Sequence, residues 1–452
     1  MQHYKFLFGV VMLLSVLLIK VSDAGAQETW SLERCIHYAL ENNITIKQQE
    51  LNTLINENSL LQSRMSRLPS LNANTQQSFN YGRSLDFTTN IYEDQNTRSF
   101  SYNASSQVTL FNGFQITNTI KQNDLNLMAS LTDLDKLKND ISLNIASAYL
   151  QILFNKELLA VAENQLNIAN QQVERTRKLV EAGSLPQGNL LEIQAQEASE
   201  QLRVVNARNR LSLSYLTLTQ LLELPSMDNF AIEVPDLEHI PVHGPDYQVE
   251  PVYDTALENQ PQIKSSEYQL ASSETGLSIA KGNRSPRLFL SGNYGSGYQE
   301  IITGPYADRE TPSFEDQLRN NARTSISLGL SIPIFNAWQV NSAISNARIG
   351  VLNAEYSMQR TKNQLYQEIQ QAYADAVASH ENYLATEKAL ESIEESFRYT
   401  EQRFEVGMVT TVEFNQALNQ LAMTRSDLLR AKYEYIFTTN ILEFYLGNPI
   451  SL

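Results

Sequence analysis

Apolar positions in the middle of the chain recur at alternating steps of four and three residues. The stretch from Gln115 to Ala182 runs for 68 residues without proline or glycine, and Gly113 and Gly183 bound it. Sixteen positions within it follow the spacing, and 13 of them are apolar. A mean step of 3.5 residues is the coiled-coil period, so the pattern predicts one long helix that packs lengthwise against neighbours. At 1.5 Å per residue, this helix would be roughly 100 Å long.

The same unit occurs twice in the chain. An offset of 224 residues moves the segment 111–114 onto 335–338 and Gly183 onto Gly407. Ahead of the long helix the offset is 217, so the second copy carries seven extra residues before its own helix. Two copies that match at this many points indicate an internal duplication. The second copy therefore predicts a second long helix over 339–406.

Two regions in each copy change to a period of two residues, which is typical of strands. Residues 70–81 and 99–111 alternate between apolar and polar, and residues 288–298 and 325–334 repeat the alternation in the same phase. The lengths match the 9–11 residues with which a strand crosses a bilayer. Four aromatic residues gather at the loop end of the first pair, as in an interface girdle: Phe79, Tyr81, Phe100 and Tyr102. The pattern predicts membrane strands joined by a polar loop over 82–98, with a soluble hairpin as the alternative.

Four membrane strands per chain have a consequence for assembly. Four strands cannot close a barrel with an interior, and an open sheet in lipid would leave backbone groups unpaired. Several chains must therefore share one barrel, and three chains would supply 12 strands. The apolar seams of the long helices need partners for the same reason. The expected fold is mainly helical, with a membrane β-barrel built from three copies of the duplicated unit.

The N-terminus has the composition of a secretory signal. Lys5 precedes the apolar run Phe6–Ile19, and Ala24–Ala26 is an A-x-A cleavage site. Removal of residues 1–26 takes away two lysines and one aspartate, so the formal net charge moves from −16 to −17. An exported acidic chain argues against nucleic-acid binding. The one cysteine, Cys35, predicts a free thiol and no intrachain disulfide.

The chain is therefore divided into a signal segment, two repeats and a linker. The first repeat, 27–224, holds a helix, the strand pair 70–111, the long helix 115–182 and a return helix 189–224. The proline-rich stretch 225–250 is a linker or a small irregular domain. The second repeat, 251–452, holds a helix, the strand pair 287–335, the long helix 339–406 and a return helix 411–446.

With these features the chain resembles the TolC-like outer-membrane efflux family. The resemblance rests on the opening Trp30–Leu32, the strand exits Leu110–Gly113 and Ile334–Asn336, the tip motif Val406–Gly407, and the duplicated unit itself. It implies a homotrimer whose 12-strand barrel in the outer membrane continues as an α-helical tunnel across the periplasm. It also implies a passive exit duct for drugs and other small molecules in a Gram-negative bacterium. Such a duct docks through a periplasmic adaptor onto an inner-membrane RND or ABC transporter.

The resemblance assigns roles to the two hairpin tips. In the family, an acid six residues after the second tip glycine lines the constriction, and that position is Glu413 here. A second acid three residues later is replaced by Gln416, and the first-repeat counterparts are Asn189 and Glu192. Six residues resemble those that meet the adaptor: Gly183, Ser184, Leu185, Gly407, Met408 and Val409. Some members lock the closed tip with an arginine where this chain has Val409, so the resemblance does not supply that lock here.

Nothing in the sequence predicts catalysis, a cofactor or a metal site. His239 and His243 have an H-x3-H spacing, but their proline-rich loop supplies no third ligand at helical spacing. No Ser/His/Asp set, phosphate loop or cysteine pair stands out. We therefore expect a channel and not an enzyme. Two alternatives stay open: an outer-membrane channel for type I protein secretion and, from a different class, a periplasmic coiled-coil scaffold with soluble hairpins.

Overall fold

The structure is a computed structural model that describes residues 29–86, 90–227, 230–235, 244, 248–304, 307 and 310–450. The predicted signal segment, half of the predicted linker, and His239 and His243 lie outside the described residues. The chain forms two compact units. The helical unit consists of the described parts of Met1–Gln49, Leu134–Gln260 and Asn363–Leu452, and the sheet unit of those of Glu50–Asp133 and Pro261–Lys362.

The two repeats show the same order of main elements. The first repeat contains β1 (Thr29–Trp30), α1 (Leu32–Asn42), α2 (Ile44–Met65), β2 (Ser70–Asn80), β3 (Arg83–Asp86), β4 (Ile91–Asp94), β5 (Asn96–Phe111), α3 (Gln115–Glu181) and α4 (Gln187–Leu221). A short strand, β6 (Ala231–Ile232), lies between the repeats. The second repeat contains α5 (Val249–Asn259), α6 (Pro261–Gly282), β7 (Arg287–Thr303), α7 (Phe314–Asn320), β8 (Arg323–Ser331), α8 (Gln339–Glu405) and α9 (Thr411–Tyr445).

The long helices α3 and α8 are each 67 residues long and end one residue before the predicted positions. α8 continues through Gly350, where an added Cβ would meet open space. The opening helix of the first repeat is broken at Asn43 into α1 and α2. The Asn43 side chain accepts the Thr45 amide at 2.9 Å and donates to the Leu221 carbonyl at 3.3 Å. It therefore caps α2 at the point where the helix restarts.

The core of the helical unit lies on the predicted seam of α3. Ile145 and Ile152 are fully buried there and pack with Leu218 of α4. Tyr149, 1 % exposed, lies with its hydroxyl 3.1 Å from the Trp30 carbonyl and 2.6 Å from the Glu233 carbonyl. Because β1 and β6 pair in parallel beside it, this tyrosine fixes the start of the first repeat and the connection between the repeats to the core around α3.

Polar breaks in the two seams are buried and fall at equivalent positions. Asn155 of α3 is 5 % exposed, and its counterpart Ser379 of α8 is 4 % exposed. The Ser379 hydroxyl lies 2.8 Å from that of Thr438 on α9. A buried polar pair on an apolar seam sets the register of two helices, because a shifted register would leave both groups unpaired.

One buried acid of the helical unit is incompletely paired. Glu200 of α4 is fully buried and accepts from Gln196 Nε2 at 2.6 Å, with Arg203 at 3.6 Å. Its Oε2 accepts no hydrogen bond from the described residues. It lines a cavity of about 430 Å³ with Gln165, which is also buried and whose Nε2 has no partner among them. Desolvation raises the pKa of the Glu200 carboxyl above its ordinary value.

The sheet unit contains an antiparallel four-stranded sheet in the order β2-β5-β7-β8. Among the described residues, neither β2 nor β8 pairs with a further strand. Two expectations for this region were wrong. The segment 82–98 is not only loop, because β3 and β4 form a separate hairpin there. β8 ends at Ser331, so Ile332 and Ile334 lie beyond the strand; Pro333, which lacks an amide hydrogen, cannot extend the ladder.

Strand register places the predicted apolar residues of all four strands on one face. Thr75 pairs with Tyr102, Ala104 with Tyr294, and Leu290 with Leu328, and directly paired residues share a face. We call this side the apolar face and the other, rich in Asn, Gln, Ser and Thr, the polar face. Large side chains of the apolar face are open to solvent in the single chain; Ile326, for example, is 78 % exposed.

The short helix α7 packs on the apolar face at the loop end of the sheet. The Phe314 ring lies 5.5 Å from that of Phe100 and 5.1 Å from that of Tyr298, centroid to centroid. Gln317 hydrogen-bonds both backbone groups of Gln299. α7 belongs to the longer connection of the second repeat, so the extra residues found by comparing the repeats reinforce the aromatic cluster.

Both repeats leave the sheet through left-handed backbone. Phe114 and Trp338 have φ of 61° and 67°, each directly after another positive-φ residue. A Cβ added to Gly113, with φ 65°, would lie 2.5 Å from the Gly282 carbonyl oxygen, so two backbones touch there. Phe114 and Trp338 are 67 % and 68 % exposed, and the ring of Phe114 packs edge-on against that of Phe111 at 5.6 Å, which forms a second aromatic group at the opposite end of the strands. The sequence reasoning noted only the first group.

Candidate functional site

The first hairpin tip is the turn between α3 and α4. Gly183 has φ 73°; its amide donates to the Val180 carbonyl at 2.9 Å, and the Ser184 amide donates to the Leu179 carbonyl at 2.8 Å. These two bonds form a Schellman motif, which needs the left-handed residue that glycine provides. Pro186 then precedes α4 without a side-chain cap. The backbone of this tip is fixed, and the turn around Gly183 and Ser184 is exposed.

The second tip ends α8 in the same way and starts α9 differently. Gly407 has φ 77°, and the Met408 amide donates to the Arg403 carbonyl at 2.8 Å. Thr410 and Glu413 form a capping box: the Glu413 amide donates to Thr410 Oγ1 at 3.3 Å, and the Thr410 amide donates to Glu413 Oε2 at 3.0 Å. The hydrogen bonds from Thr410 hold the pKa of the Glu413 carboxyl below its ordinary value.

The two tips are stabilised by different kinds of side chain. Val173, Leu190 and Ile193 form a small aliphatic cluster below the first tip. Below the second, Phe414 is fully buried and stacks on Phe404 at 4.5 Å between ring centroids. Its aromatic packing makes the second tip the better-defined hairpin.

Three polar contacts of the described residues join the hairpins near the tips, and the one furthest from the turns is a bond from Gln196 Nε2 to Asn419 Oδ1 at 3.3 Å. Asn189 Nδ2 donates to Thr411 Oγ1 at 3.3 Å, between the first turns of α4 and α9. Arg175 of α3 lies 3.6 Å from the Glu405 carboxylate, donates to the Glu405 carbonyl at 3.3 Å, and lies 6.0 Å from the centre of the Phe404 ring. The structure thus has a cationic contact between hairpins at Arg175, away from the position of Val409.

The predicted site residues fall into two groups. Asn189 and Glu413 make the contacts just described, while Glu192 and Gln416 are exposed one turn further along their helices. The turn residues Gly183, Ser184, Gly407 and Met408 are exposed, and Leu185 and Val409 are half-buried. Sequence reasoning missed Arg175 and the aromatic cluster, because nothing in a periodic pattern pairs residue 175 with residue 405. The only signal was Phe414 directly after the predicted tip acid.

The known proteins that this chain resembles have the same architecture. The sequence profile of the family described as outer membrane efflux protein matches residues 35–223 and 252–448. The outer membrane efflux protein BepC of Brucella suis biovar 1 is 20 % identical over 340 residues, which are 74 % of this chain and 69 % of BepC. The alkaline protease secretion protein AprF of Pseudomonas aeruginosa is 20 % identical over 82 % of this chain and 75 % of its own. The crystal structure of the outer membrane protein VceC of Vibrio cholerae superposes with a TM-score of 0.78 at 16 % identity, covering 93 % of this chain and 96 % of VceC.

A duplicated unit with paired long helices and a sheet whose apolar face is uncovered defines a channel protein of the outer membrane. The chain belongs to the outer membrane efflux protein family, since the family profile covers most of its length. The predictions of a TolC-like fold, an efflux-channel function and an outer-membrane location are confirmed.

Proposed function

We propose that three copies of this chain form one passive channel, with a 12-strand barrel in the outer membrane and a helical tunnel in the periplasm. The observation that carries the proposal is the open sheet. Both edge strands lack a second neighbour among the described residues, and the apolar face stays exposed. An unpaired edge in lipid costs several kcal/mol per backbone group, so pairing β2 of one copy with β8 of the next is the arrangement lipid permits.

The hairpin tips supply the gate in this proposal. Glu413, Gln416, Asn189 and Glu192 line the constriction at the periplasmic end. The exposed tip turns, from Gly183 to Leu185 and from Gly407 to Val409, meet the periplasmic adaptor. A ring of three Glu413 carboxylates favours cations at this point, by the rule that holds for charged rings in channels. The low pKa of Glu413 keeps the ring charged at neutral pH.

Arg175 acts as the contact that holds the two hairpins of one copy together. We expect Arg175→Gln to raise single-channel conductance, because it removes both links to Glu405. Arg177→Gln is the matched control: Arg177 lies two residues away and pairs only with Glu174 on its own helix. Equal conductance of both variants and the wild type would show that the contact does not restrain the tips.

Transport energy comes from outside the chain in this proposal. The described residues contain no group of three or more His, Cys, Asp or Glu that could hold a metal, and the sequence has no phosphate-binding loop. The proposal assigns the energy to an inner-membrane transporter that is reached through the adaptor, as the resemblance to the family implies.

A neighbouring pair on β8 tests the shared barrel. Leu328 lies on the apolar face and is 66 % exposed in the single chain, whereas Ser327 lies on the polar face. We expect the wild type to require detergent and to have three times the mass of one chain. Leu328→Asp should abolish this assembly, since a charge on the lipid face of a barrel strand is destabilising, while Ser327→Asp should assemble normally. A water-soluble monomer or dimer, or equal behaviour of the two variants, would refute the proposal in favour of a soluble scaffold.

A further inference from the structure

The four strands of the sheet carry few charges. β2, β5, β7 and β8 together contain three arginines and one glutamate: Arg98, Arg287, Arg323 and Glu300. This balance is the opposite of the whole chain, which has 50 acidic and 34 basic side chains. The sheet is therefore a basic section of an acidic protein, and the strand register shows on which face each charge lies.

The apolar face is electrically balanced. Arg98 and Glu300 are directly paired on neighbouring strands, and their charged groups lie 2.6 Å apart. The Arg98 guanidinium also lies 5.8 Å from the centre of the Tyr298 ring, within the aromatic group at the loop end. An ion pair at the level of the aromatic girdle leaves no net charge on this face.

The polar face carries the two remaining arginines and no acid. Arg287 pairs with Ser331 across the ladder and donates to Thr109 Oγ1 at 3.4 Å. Arg323 pairs with Gly295. Neither guanidinium has an acidic partner among the described residues. The other members of this face on the four strands are Asn, Gln, Ser, Thr and Gly, with Phe289 and Ile301 as the large apolar exceptions.

The two arginines mark opposite ends of the β7–β8 ladder. Arg287 begins β7, and Arg323 pairs with a residue eight positions further along the same strand. At about 3.3 Å per residue, the two levels are roughly 26 Å apart along the strand. Because barrel strands are tilted by about 35–45°, this distance is roughly 20 Å along the membrane normal, most of the ~25 Å height of the apolar band of an outer-membrane barrel. In the proposed barrel, the two arginines therefore lie towards opposite sides of this band, on the face away from lipid.

We propose that Arg287 and Arg323 form two rings of positive charge inside the shared barrel and that these rings select for solutes with a carboxylate, sulfonate or phosphate group. The inference rests on the proposed three-chain barrel, in which the polar face lines the interior. Rings of arginine favour anions as rings of acids favour cations. Arginine stays charged at any physiological pH, so the preference does not vary with pH in that range.

The rings act locally. The Debye length is about 10 Å at 0.1 M salt, so each ring influences solutes within its own end of the barrel. The negative charge of the tips therefore does not cancel the positive potential of the arginine rings in the barrel. A solute that carries both charge signs is attracted at both places, while a purely cationic solute passes the tips favourably and meets repulsion in the barrel.

Cysteines at two adjacent serine positions of β5 allow the charge preference inside the barrel to be measured directly. Ser105 lies on the polar face opposite Asn293, and Ser106 lies on the apolar face. Ser105→Cys places a thiol between the rings, and Ser106→Cys is the matched control on the lipid side. The native Cys35 is fully buried, and burial raises the pKa of its thiol to about 12, so it should not react.

The probes are two methanethiosulfonates of similar size, one with a sulfonate and one with a quaternary ammonium group. We expect the Ser105→Cys trimer in detergent to react at least fivefold faster with the anionic reagent, relative to a free thiol, at about 10 mM ionic strength. The preference should collapse near 1 M salt, where the Debye length is about 3 Å. Ser106→Cys should react slowly with both reagents.

Removing the rings tests their role. In the Ser105→Cys background, the double substitution Arg287→Gln and Arg323→Gln should bring the ratio of the anionic to the cationic reaction rate close to one. The control is Arg319→Gln, which removes an ion pair with Asp316 on α7 and should leave this ratio unchanged. A ratio that survives the double substitution would overturn the inference. A Ser105→Cys thiol that neither reagent reaches would instead refute the water-filled barrel, and with it the proposed function. Mass measurement of the double variant keeps a failure to assemble separate from both outcomes.

Discussion

The second tip depends on one buried ring. Phe414 is fully buried, stacks on Phe404 at 4.5 Å and lies 5.7 Å from the Phe397 ring. Truncating such a phenylalanine to alanine costs about 3–5 kcal/mol. The other local contributions are smaller: the Thr410 cap is worth about 1 kcal/mol, and the exposed Arg175 pair about 0–1 kcal/mol. Phe414→Ala should therefore open the second tip while the coiled coil further from it stays folded.

Hydrogen exchange measured by mass spectrometry separates local from global effects. We expect amides between 403 and 416 to exchange faster in Phe414→Ala, while those around Gly183 and those of the Ile145 core keep their wild-type rates. Channel conductance should rise, because a loosened tip no longer narrows the opening. Phe414→Leu retains most of the buried volume and should show a much smaller effect. Unchanged exchange at 403–416, or equal acceleration throughout the protein, would refute this account of the tip.

Three further predictions concern single side chains. Glu413→Gln should weaken cation selectivity with little change at the cap, since glutamine retains the acceptor oxygen; unchanged reversal potentials in planar bilayers would contradict this. At pH values above the raised folded-state pKa of Glu200, Glu200→Gln should raise the melting temperature of the detergent-solubilised protein. The gain should vanish at pH values below the ordinary pKa of glutamate, where Glu200 is protonated in both the folded and the unfolded state. A gain in melting temperature that does not depend on pH would contradict the assignment. Gly113→Ala should lower the free energy of unfolding by more than about 1 kcal/mol, because φ is 65° and the Gly282 backbone lies 2.5 Å from the new Cβ. Ala337→Gly at the equivalent position of the second repeat should be tolerated. Equal melting temperatures of the two variants would show that backbone strain at this corner is unimportant.

Sequence reasoning worked best where one period continues over many residues. Sixteen seam positions predicted α3, and its end lies one residue from the expected position. The alternation of the strands predicted which residues share a face, because a slip of one residue would have exposed polar groups on the apolar side. Both signals are local, repeated and present twice in the chain.

The features that escaped prediction depend on contacts between distant residues. The parallel pairing of Thr29 with Ala231 spans some 200 positions and involves strands of only two residues. The β3–β4 hairpin lies in a segment without clear alternation, and Arg175 meets Glu405 only because two separate hairpins end side by side. The left-handed Phe114 and Trp338 were not expected either, since bulky residues rarely adopt positive φ.

The tip contacts also lead to a prediction of how the gate of the proposed channel opens. Within each hairpin, the turn is held by two backbone bonds of a Schellman motif, and Phe414 adds several kcal/mol to the second. Between the hairpins, the polar contacts of the described residues near the tips are the Arg175 contact, the Asn189 bond and a bond from Gln196 to Asn419, each worth about 1 kcal/mol or less. The polar contacts between the hairpins are weaker than the packing within each hairpin, so they break first when force acts on the tips. Opening should therefore separate two intact hairpins, and an adaptor needs only to compete with a few exposed polar contacts to bring this about.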